Sequence, residues 1–108
     1  MEHVVKINGE GCKTIEEFYS EISKGFLFPS YFNHNLDSLD ECLNDLSWLN
    51  AEKYILIIEN VSLFLSSEKN ELRDKIFDLI NESLNGWANG LNSYENGKQA
   101  IFELKLLG

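Results

Sequence analysis

One run of apolar residues limits the folds open to this chain more than any other feature. Residues 53–58 read Lys-Tyr-Ile-Leu-Ile-Ile, with charged residues on both sides. The run is too short for a buried helix and rich in β-branched side chains, so it predicts a strand. Because its apolar residues do not alternate with polar ones, we expect both faces to be covered, as in the centre of a parallel sheet.

Two weaker strand patterns lie near the ends of the chain. Residues 4–7 are rich in β-branched side chains and lead into the turn residues Asn8 and Gly9. In residues 101–106, Phe102, Leu104 and Leu106 alternate with Ile101, Glu103 and Lys105. This alternation predicts a half-exposed strand at an edge of the sheet.

Two helices are predicted between the first two strands. Thr14 and Glu17 have the spacing of a capping box, and Gly25 ends the helix that it opens. Asn35 is the favoured N-cap of the next helix, which an apolar stripe extends to Leu46.

The second and third strands are also expected to be joined by two helices. Apolar spacing predicts a short helix over residues 61–65, and a second one that starts after Ser66-Ser67 and ends at Gly86. Residues 87–98 show no periodicity and predict an irregular loop, which Trp87, Leu91 and Tyr94 anchor.

The resulting order is β-α-α-β-α-α-β over a single domain, residues 1–108. Helical crossovers, unlike hairpins, join parallel strands and are right-handed. The sequence therefore predicts an α/β fold in which helices pack against a three-stranded parallel sheet.

The charge balance excludes several classes of partner. The chain has 18 acidic and 9 basic residues, a formal net charge of -9. Nucleic acids and anionic membranes both require a basic surface, so neither is an expected partner. No secretory leader or membrane-length apolar run is visible, and Cys12 and Cys42 predict two free thiols. We expect a cytoplasmic protein without a metal or other cofactor that is monomeric when free.

The second helical segment has an acidic face without compensating cations. Its apolar stripe consists of Leu36, Leu39, Leu43 and Leu46. Its other faces carry Asp37, Asp40, Glu41, Asn44 and Asp45. Like charges four residues apart repel by roughly 0.2–0.5 kcal/mol per pair, and residues 25–52 contain no Lys or Arg. The face is either simply solvated or a docking surface for a basic partner.

No catalytic arrangement is evident. Cys42 lies beside Leu39 and Leu43 and is expected to pack in the core rather than act as a nucleophile. Asp37 and Glu41 would need a concave, partly desolvated site to serve as an acid/base pair or metal site, and an exposed helix face offers none. His34 is interpreted as an exposed loop residue, or else as a rim contact or pH-sensitive partner of Asp37. We therefore do not expect an enzyme.

The same region carries a resemblance to a known family. The matching residues are Pro29, Tyr31, Phe32, Asn35, Leu36, Asp37, Leu39, Glu41, Cys42 and Leu43, preceded near the N-terminus by Ile7-Asn8-Gly9-Glu10. This pattern resembles the barstar family, intracellular inhibitors of barnase-type ribonucleases. The resemblance implies the same α/β architecture with strand order 1-2-3. This chain departs from the family pattern at two positions. Glu41 stands where the family has its key inhibitory aspartate, and Asp40 stands where it has the preceding tryptophan.

The resemblance also implies a partner and a binding surface. It makes Tyr31, Asp37 and Glu41 contacts, surrounds them with Asn35, Leu36 and Ser38, and adds Glu82 through an ungapped alignment. Together with the acidic face, the candidate partner-binding residues are Tyr31, Asn35, Leu36, Asp37, Ser38, Asp40, Glu41, Asn44, Asp45 and Glu82. The implied function is a bacterial immunity protein of toxin–antitoxin type that blocks a secreted basic ribonuclease. The alternative is a protein-interaction module of the same fold that binds a different basic protein.

Overall fold

The chain forms a three-stranded parallel sheet with three α-helices, and the computed structural model describes residues 1–108. The strands are β1 (Glu2–Asn8), β2 (Lys53–Glu59) and β3 (Ile101–Leu106), and the helices are α1 (Ile15–Gly25), α2 (Leu36–Leu43) and α3 (Asn70–Ala88). The sheet order is β1-β2-β3, with β2 parallel to both neighbours. The predicted α/β class, the parallel sheet and the central position of β2 are confirmed. None of the helices combines the length and the apolar character needed to cross a membrane.

The prediction that both faces of β2 are covered is wrong. Tyr54, Leu56 and Ile58 are fully buried, whereas Ile55 and Ile57 on the other face are only partly buried. The side chains beside them on β1 and β3 explain the difference. Val4 and Glu103 flank Ile55, and Lys6 and Lys105 flank Ile57. Long side chains on adjacent strands shield part of an apolar strand without a second layer of helices.

The first crossover follows local sequence signals closely. Thr14 and Glu17 form the predicted capping box: Thr14 Oγ1 accepts from Glu17 N at 3.2 Å, and Glu17 Oε1 accepts from Thr14 N at 3.0 Å. The helix α1 ends at Gly25 as predicted. It buries Phe18, Tyr19 and Ile22.

The second crossover contains one helix, not the predicted two. Residues 61–65 form turns, and Leu65 has a φ of 57°. Phe64 and Leu65 still reach the core from these turns. Arg73 stabilises them, since its guanidinium donates to Phe64 O at 3.1 Å and to Val61 O at 3.0 Å. Apolar side chains of this segment are therefore buried without a helix.

Both predicted ends of α3 are also wrong. Ser66-Ser67 does not start it: α3 begins at Asn70, and Lys69 occupies the N-cap position without a side-chain hydrogen bond. Gly86 does not end it, because α3 continues to Ala88. A Cβ atom at Gly86 would lie 2.5 Å from Asn92 Nδ2, so this glycine allows a close approach of the following loop.

The loop after α3 is held by buried aromatic side chains. Trp87, predicted to lie in the loop, belongs to the last turn of α3 and is buried with Tyr94. The Tyr94 hydroxyl donates to Ala51 O at 2.7 Å and also hydrogen-bonds Tyr54. Leu91, the third predicted anchor, is 82% exposed and anchors nothing. The loop is therefore tied to the core at Tyr94.

Candidate partner-binding surface

Side-chain hydrogen bonds fix the start of α2. Asn35 is its N-cap, as predicted, and its Oδ1 accepts from Ser38 N at 2.8 Å. Ser38 Oγ in turn accepts from Asn33 N at 2.9 Å. These bonds pair backbone N–H groups that a helix start leaves free. Two of the candidate contact residues, Asn35 and Ser38, thus shape the surface.

The other end of α2 is fixed by residues from α3 and its loop. The helix ends at Leu43, earlier than its apolar stripe predicts, although Leu46 remains buried. Trp87 Nε1 donates to Leu43 O at 3.0 Å. Asn44 Nδ2 donates to Asp40 O at 2.7 Å, and Asn44 Oδ1 accepts from Asn92 Nδ2 at 2.6 Å. The short helix is therefore held at both ends.

The carboxylates of α2 face solvent without cation partners. Asp37, Asp40 and Glu41 are exposed, whereas Leu39, Cys42 and Leu43 form the buried side of the helix. None of the salt bridges within the chain involves these three acids. The negative charge predicted for this helix is thus available to a partner.

A groove between α2 and α3 is lined by more charged residues than the sequence pattern indicated. Its lining residues are Leu36, Asp37, Asp40, Lys75, Asp78, Leu79 and Glu82. The structure thus places Glu82 beside the α2 carboxylates, as the ungapped alignment required. Asp78 and Lys75 were missed; the only signal was that Asp78 lies one turn before Glu82. Lys75 lies within 4.0 Å of none of these carboxylates, so the groove keeps its negative charge.

Aromatic residues lie just before α2. Tyr31 is 52% exposed. Its partial burial and the nearby Cys42, Asp45 and Glu41 raise its pKa. Phe32 is partly buried and packs against Phe28, with ring centroids 4.8 Å apart. As predicted, Phe32 joins the core.

The ten candidate residues divide by exposure. Tyr31, Asn35, Asp37, Asp40, Glu41 and Glu82 are exposed, whereas Leu36, Ser38, Asn44 and Asp45 are partly buried. The partly buried residues have roles within the chain. Leu36 packs on the core, and Asp45 Oδ1 accepts from Ser47 N at 3.3 Å. The exposed carboxylates and Tyr31 are the groups that a partner reaches first.

His34 is exposed, as its favoured interpretation predicted, and it contacts Glu16 rather than Asp37, the partner named in the alternative. Its Nδ1 lies 2.9 Å from Glu16 Oε2 on α1, and no hydrogen bond or ion pair joins it to Asp37. The ring is exposed and packs near Tyr19 and Phe32, with centroids 5.6 and 5.5 Å away. His34 therefore links the loop before α2 to α1.

Both thiols are free, as predicted, and both are buried, which was predicted only for Cys42. Burial, assisted by Glu41 and Asp45, raises the pKa of Cys42 to about 11, and burial with Glu17 and Glu21 raises that of Cys12 to about 12. A thiol with this pKa is a weak nucleophile at neutral pH. No three His, Cys, Asp or Glu side chains converge in an arrangement that fits a metal ion.

These thiols predict a loss of stability at alkaline pH. Between the ordinary pKa of 9.0 and the raised values of about 11 and 12, the folded state holds protons that the unfolded state has released. The free energy of unfolding therefore falls as pH rises through this window and is unaffected by the thiols below it. Urea titrations from about pH 8 to 11 measure this slope, which Cys42→Ala is expected to reduce. An identical slope in Cys42→Ala would contradict the assignment.

Comparison with known proteins agrees with this geometry. The model of the family described as Barstar (barnase inhibitor) matches residues 2–103. No curated protein matches the chain. The match covers all three helices, the acidic face of α2 and the first two strands, and it extends into β3. The chain therefore belongs to the barstar family.

Proposed function

We propose that this chain inhibits a basic ribonuclease by inserting the acidic face of α2 into the enzyme's active-site cleft. The observation that carries the proposal is that the exposed carboxylates Asp37, Asp40 and Glu41 form no ion pair and lie on a helix fixed at both ends. Membership of a family described as barnase inhibitors supports it.

The mechanism is electrostatic mimicry. A ribonuclease binds RNA phosphates with cationic side chains, and carboxylates on a rigid helix replace those phosphates. Glu41 is the central group in this proposal, with Asp37 and Asp40 on the same helix, and Glu82 lies across the groove from Asp37 and Asp40. Tyr31 fills apolar space at the edge and excludes water, as aromatic anchors do in tight interfaces. Because the backbone of α2 is fixed at both ends, little backbone entropy is lost on binding.

Repulsion within the free protein favours binding. Asp37 and Glu41 are four residues apart on α2, so they repel in the absence of a partner by roughly 0.2–0.5 kcal/mol. Cations of the enzyme remove this repulsion. Charge complementarity of this kind also accelerates association and makes it sensitive to salt.

The proposed setting is the cytoplasm of a bacterium that secretes the ribonuclease, where the chain acts as a monomeric immunity protein. Two buried free thiols and no disulfide suit a reducing compartment. Premature activity of the enzyme would degrade the cell's own RNA, and a tight inhibitor prevents this. The partner is thus expected to be a small secreted protein with a strongly basic cleft.

The test is inhibition of purified ribonucleases. A panel comprises barnase, other secreted barnase-type enzymes and the product of any small basic reading frame beside this gene. We expect stoichiometric inhibition of at least one enzyme, weakened by salt. If no enzyme of the panel binds, or if Asp37→Ala and Glu41→Ala leave all binding unchanged, the proposal is wrong.

A second candidate function rests on the departures at Asp40 and Glu41. The family's tryptophan and aspartate are replaced there, which favours a partner other than barnase. A pull-down that recovers a basic protein without ribonuclease activity, lost at high salt, would support an interaction module instead.

The length of Glu41 gives a prediction about the partner's pocket. Its side chain is one methylene longer than aspartate, so the carboxylate reaches about a bond length further and has an extra rotor to order. We expect Glu41→Asp to weaken binding to the cognate ribonuclease and to strengthen binding to barnase. Dissociation constants of both enzymes, measured side by side, decide this. If Glu41→Asp changes both dissociation constants equally and in the same direction, the cognate ribonuclease does not have a deeper pocket than barnase.

A further inference from the structure

A second groove lies where the start of α2 meets α1 and α3. Its apolar floor is formed by Ile15, Tyr19, Leu36 and Leu72. Its polar rim carries Glu16, His34, Asn35 and Asp37. The groove is a shallow, open depression of about 540 Å³ with no Lys or Arg in its lining, so a long cationic side chain has both room and favourable charge.

This groove continues the proposed ribonuclease-binding surface. Leu36 and Asp37 line both this groove and the acidic groove between α2 and α3. A partner that covers the carboxylates of α2 therefore also covers the start of the helix. Unlike the acidic groove, this one has an apolar floor, which suits a side chain with an aliphatic stem.

The hydrogen bond of His34 leaves an acceptor free. An ionised carboxylate only accepts, so His34 Nδ1 carries the proton that bonds Glu16 Oε2 at 2.9 Å. In the neutral ring Nε2 is then an acceptor, and it has no hydrogen-bond partner within the chain. Tyr19 lines the same groove, with its ring centroid 5.6 Å from that of His34, and burial and the charge of Glu16 raise the pKa of its hydroxyl.

We propose that this groove binds one arginine side chain of the same basic ribonuclease. The inference rests on the proposed function and extends its contact surface from α2 to α1. The stem of the arginine lies on Ile15 and Leu36, and its guanidinium donates to Asp37 and to His34 Nε2, which the hydrogen bond to Glu16 keeps as an acceptor. Arginine fits better than lysine because its planar head offers five donors to several acceptors and packs well on apolar surfaces.

The experiment compares Glu16→Gln and His34→Gln with Glu2→Gln. Glu2 lies in β1 on the sheet face away from the helices, and Glu2→Gln changes the net charge by the same amount as Glu16→Gln. The probe is the ribonuclease of the panel that the unaltered chain binds most tightly. We expect Glu16→Gln to raise Kd by about threefold to tenfold and to reduce its salt dependence, with Glu2→Gln unchanged. His34→Gln, which removes the imidazole acceptor, is expected to raise Kd as well.

A double-mutant cycle identifies the arginine. Each surface arginine of the ribonuclease is replaced by alanine, and one is expected to couple with Glu16→Gln by about threefold or more. If Asp37→Ala and Glu41→Ala weaken binding while Glu16→Gln and His34→Gln bind like Glu2→Gln, this inference is wrong and the proposed function stands. If none of these changes affects binding, the proposed function itself fails. All the altered residues are exposed, and circular dichroism checks that each variant folds.

Discussion

Replacing Glu41 by alanine is expected to weaken binding to the partner ribonuclease by about 2–5 kcal/mol, a general range for truncated buried charge pairs to which complexes of this family contribute. This corresponds to roughly 30-fold to several thousand-fold in Kd. The reason is that a cation in the enzyme's cleft remains desolvated and loses its partner. Asp37→Ala is expected to have an effect of the same kind. Isothermal titration or inhibition kinetics at fixed salt measures both.

The same substitution is expected to leave the free protein as stable as before, or slightly more stable. Glu41 is exposed and makes no ion pair, and it repels Asp37 by roughly 0.2–0.5 kcal/mol. Asp37→Ala is expected to bring no net gain or a small loss of stability, because a carboxylate in the first turn of α2 gains about 0.3–1 kcal/mol from the helix dipole. Glu2→Ala, on the far face of the sheet, serves as the control. A loss of stability in Glu41→Ala that matches its loss of binding would show a structural residue instead.

Replacing Trp87 by alanine is expected to lower the free energy of unfolding by about 3–5 kcal/mol, the usual cost of removing a large buried aromatic residue. Trp87 is 1% exposed and packs near Tyr54 and Tyr94, with ring centroids 6.5 and 5.3 Å away. The change also leaves Leu43 O, at the end of α2, without its indole donor. Urea denaturation measures the loss.

Two further variants separate packing from hydrogen bonding. Trp87→Phe keeps much of the aromatic volume but removes the N–H donor, so we expect a cost of about 1–3 kcal/mol. Leu91→Ala alters an apolar residue of the following loop that is 82% exposed, and its effect should stay within about 0.5 kcal/mol. If Trp87→Ala costs no more than Leu91→Ala, the anchoring role assigned to Trp87 is wrong.

The sequence predicted those features that depend on neighbouring residues. The capping box of Thr14 and Glu17 and the N-cap at Asn35 involve partners three residues away, so local spacing was sufficient. The parallel arrangement of the three strands was also predicted correctly, because helical crossovers leave few arrangements for a small parallel sheet.

The errors arose where tertiary contacts override local pattern. Residues 61–65 have helical spacing, but Arg73 and the core hold them in turns. The sequence pattern predicts that Gly86 ends the helix, yet its lack of a side chain instead makes room for Asn92. The continuous apolar run of β2 did not reveal that one face lies open, since the shielding residues come from the other two strands.

The charge of the candidate site was predicted in part. The acidic face of α2 is continuous in sequence and was found directly. The groove formed with Asp78, Lys75 and Glu82 depends on how two helices far apart in sequence pack, which no local pattern reports. For Glu82 alone, the family resemblance supplied the missing information.

The position of Cys42 makes the labelling rate of its thiol a measure of how often α2 opens. Its thiol is fully buried behind the face of α2 proposed to hold the ribonuclease, so an alkylating reagent reaches it only when that helix opens. Cys12, whose backbone O accepts from Leu65 N at 2.9 Å, lies in a different part of the core and provides an internal reference. The ratio of the two labelling rates, with and without bound enzyme, therefore separates local opening of the inhibitory helix from unfolding of the whole chain.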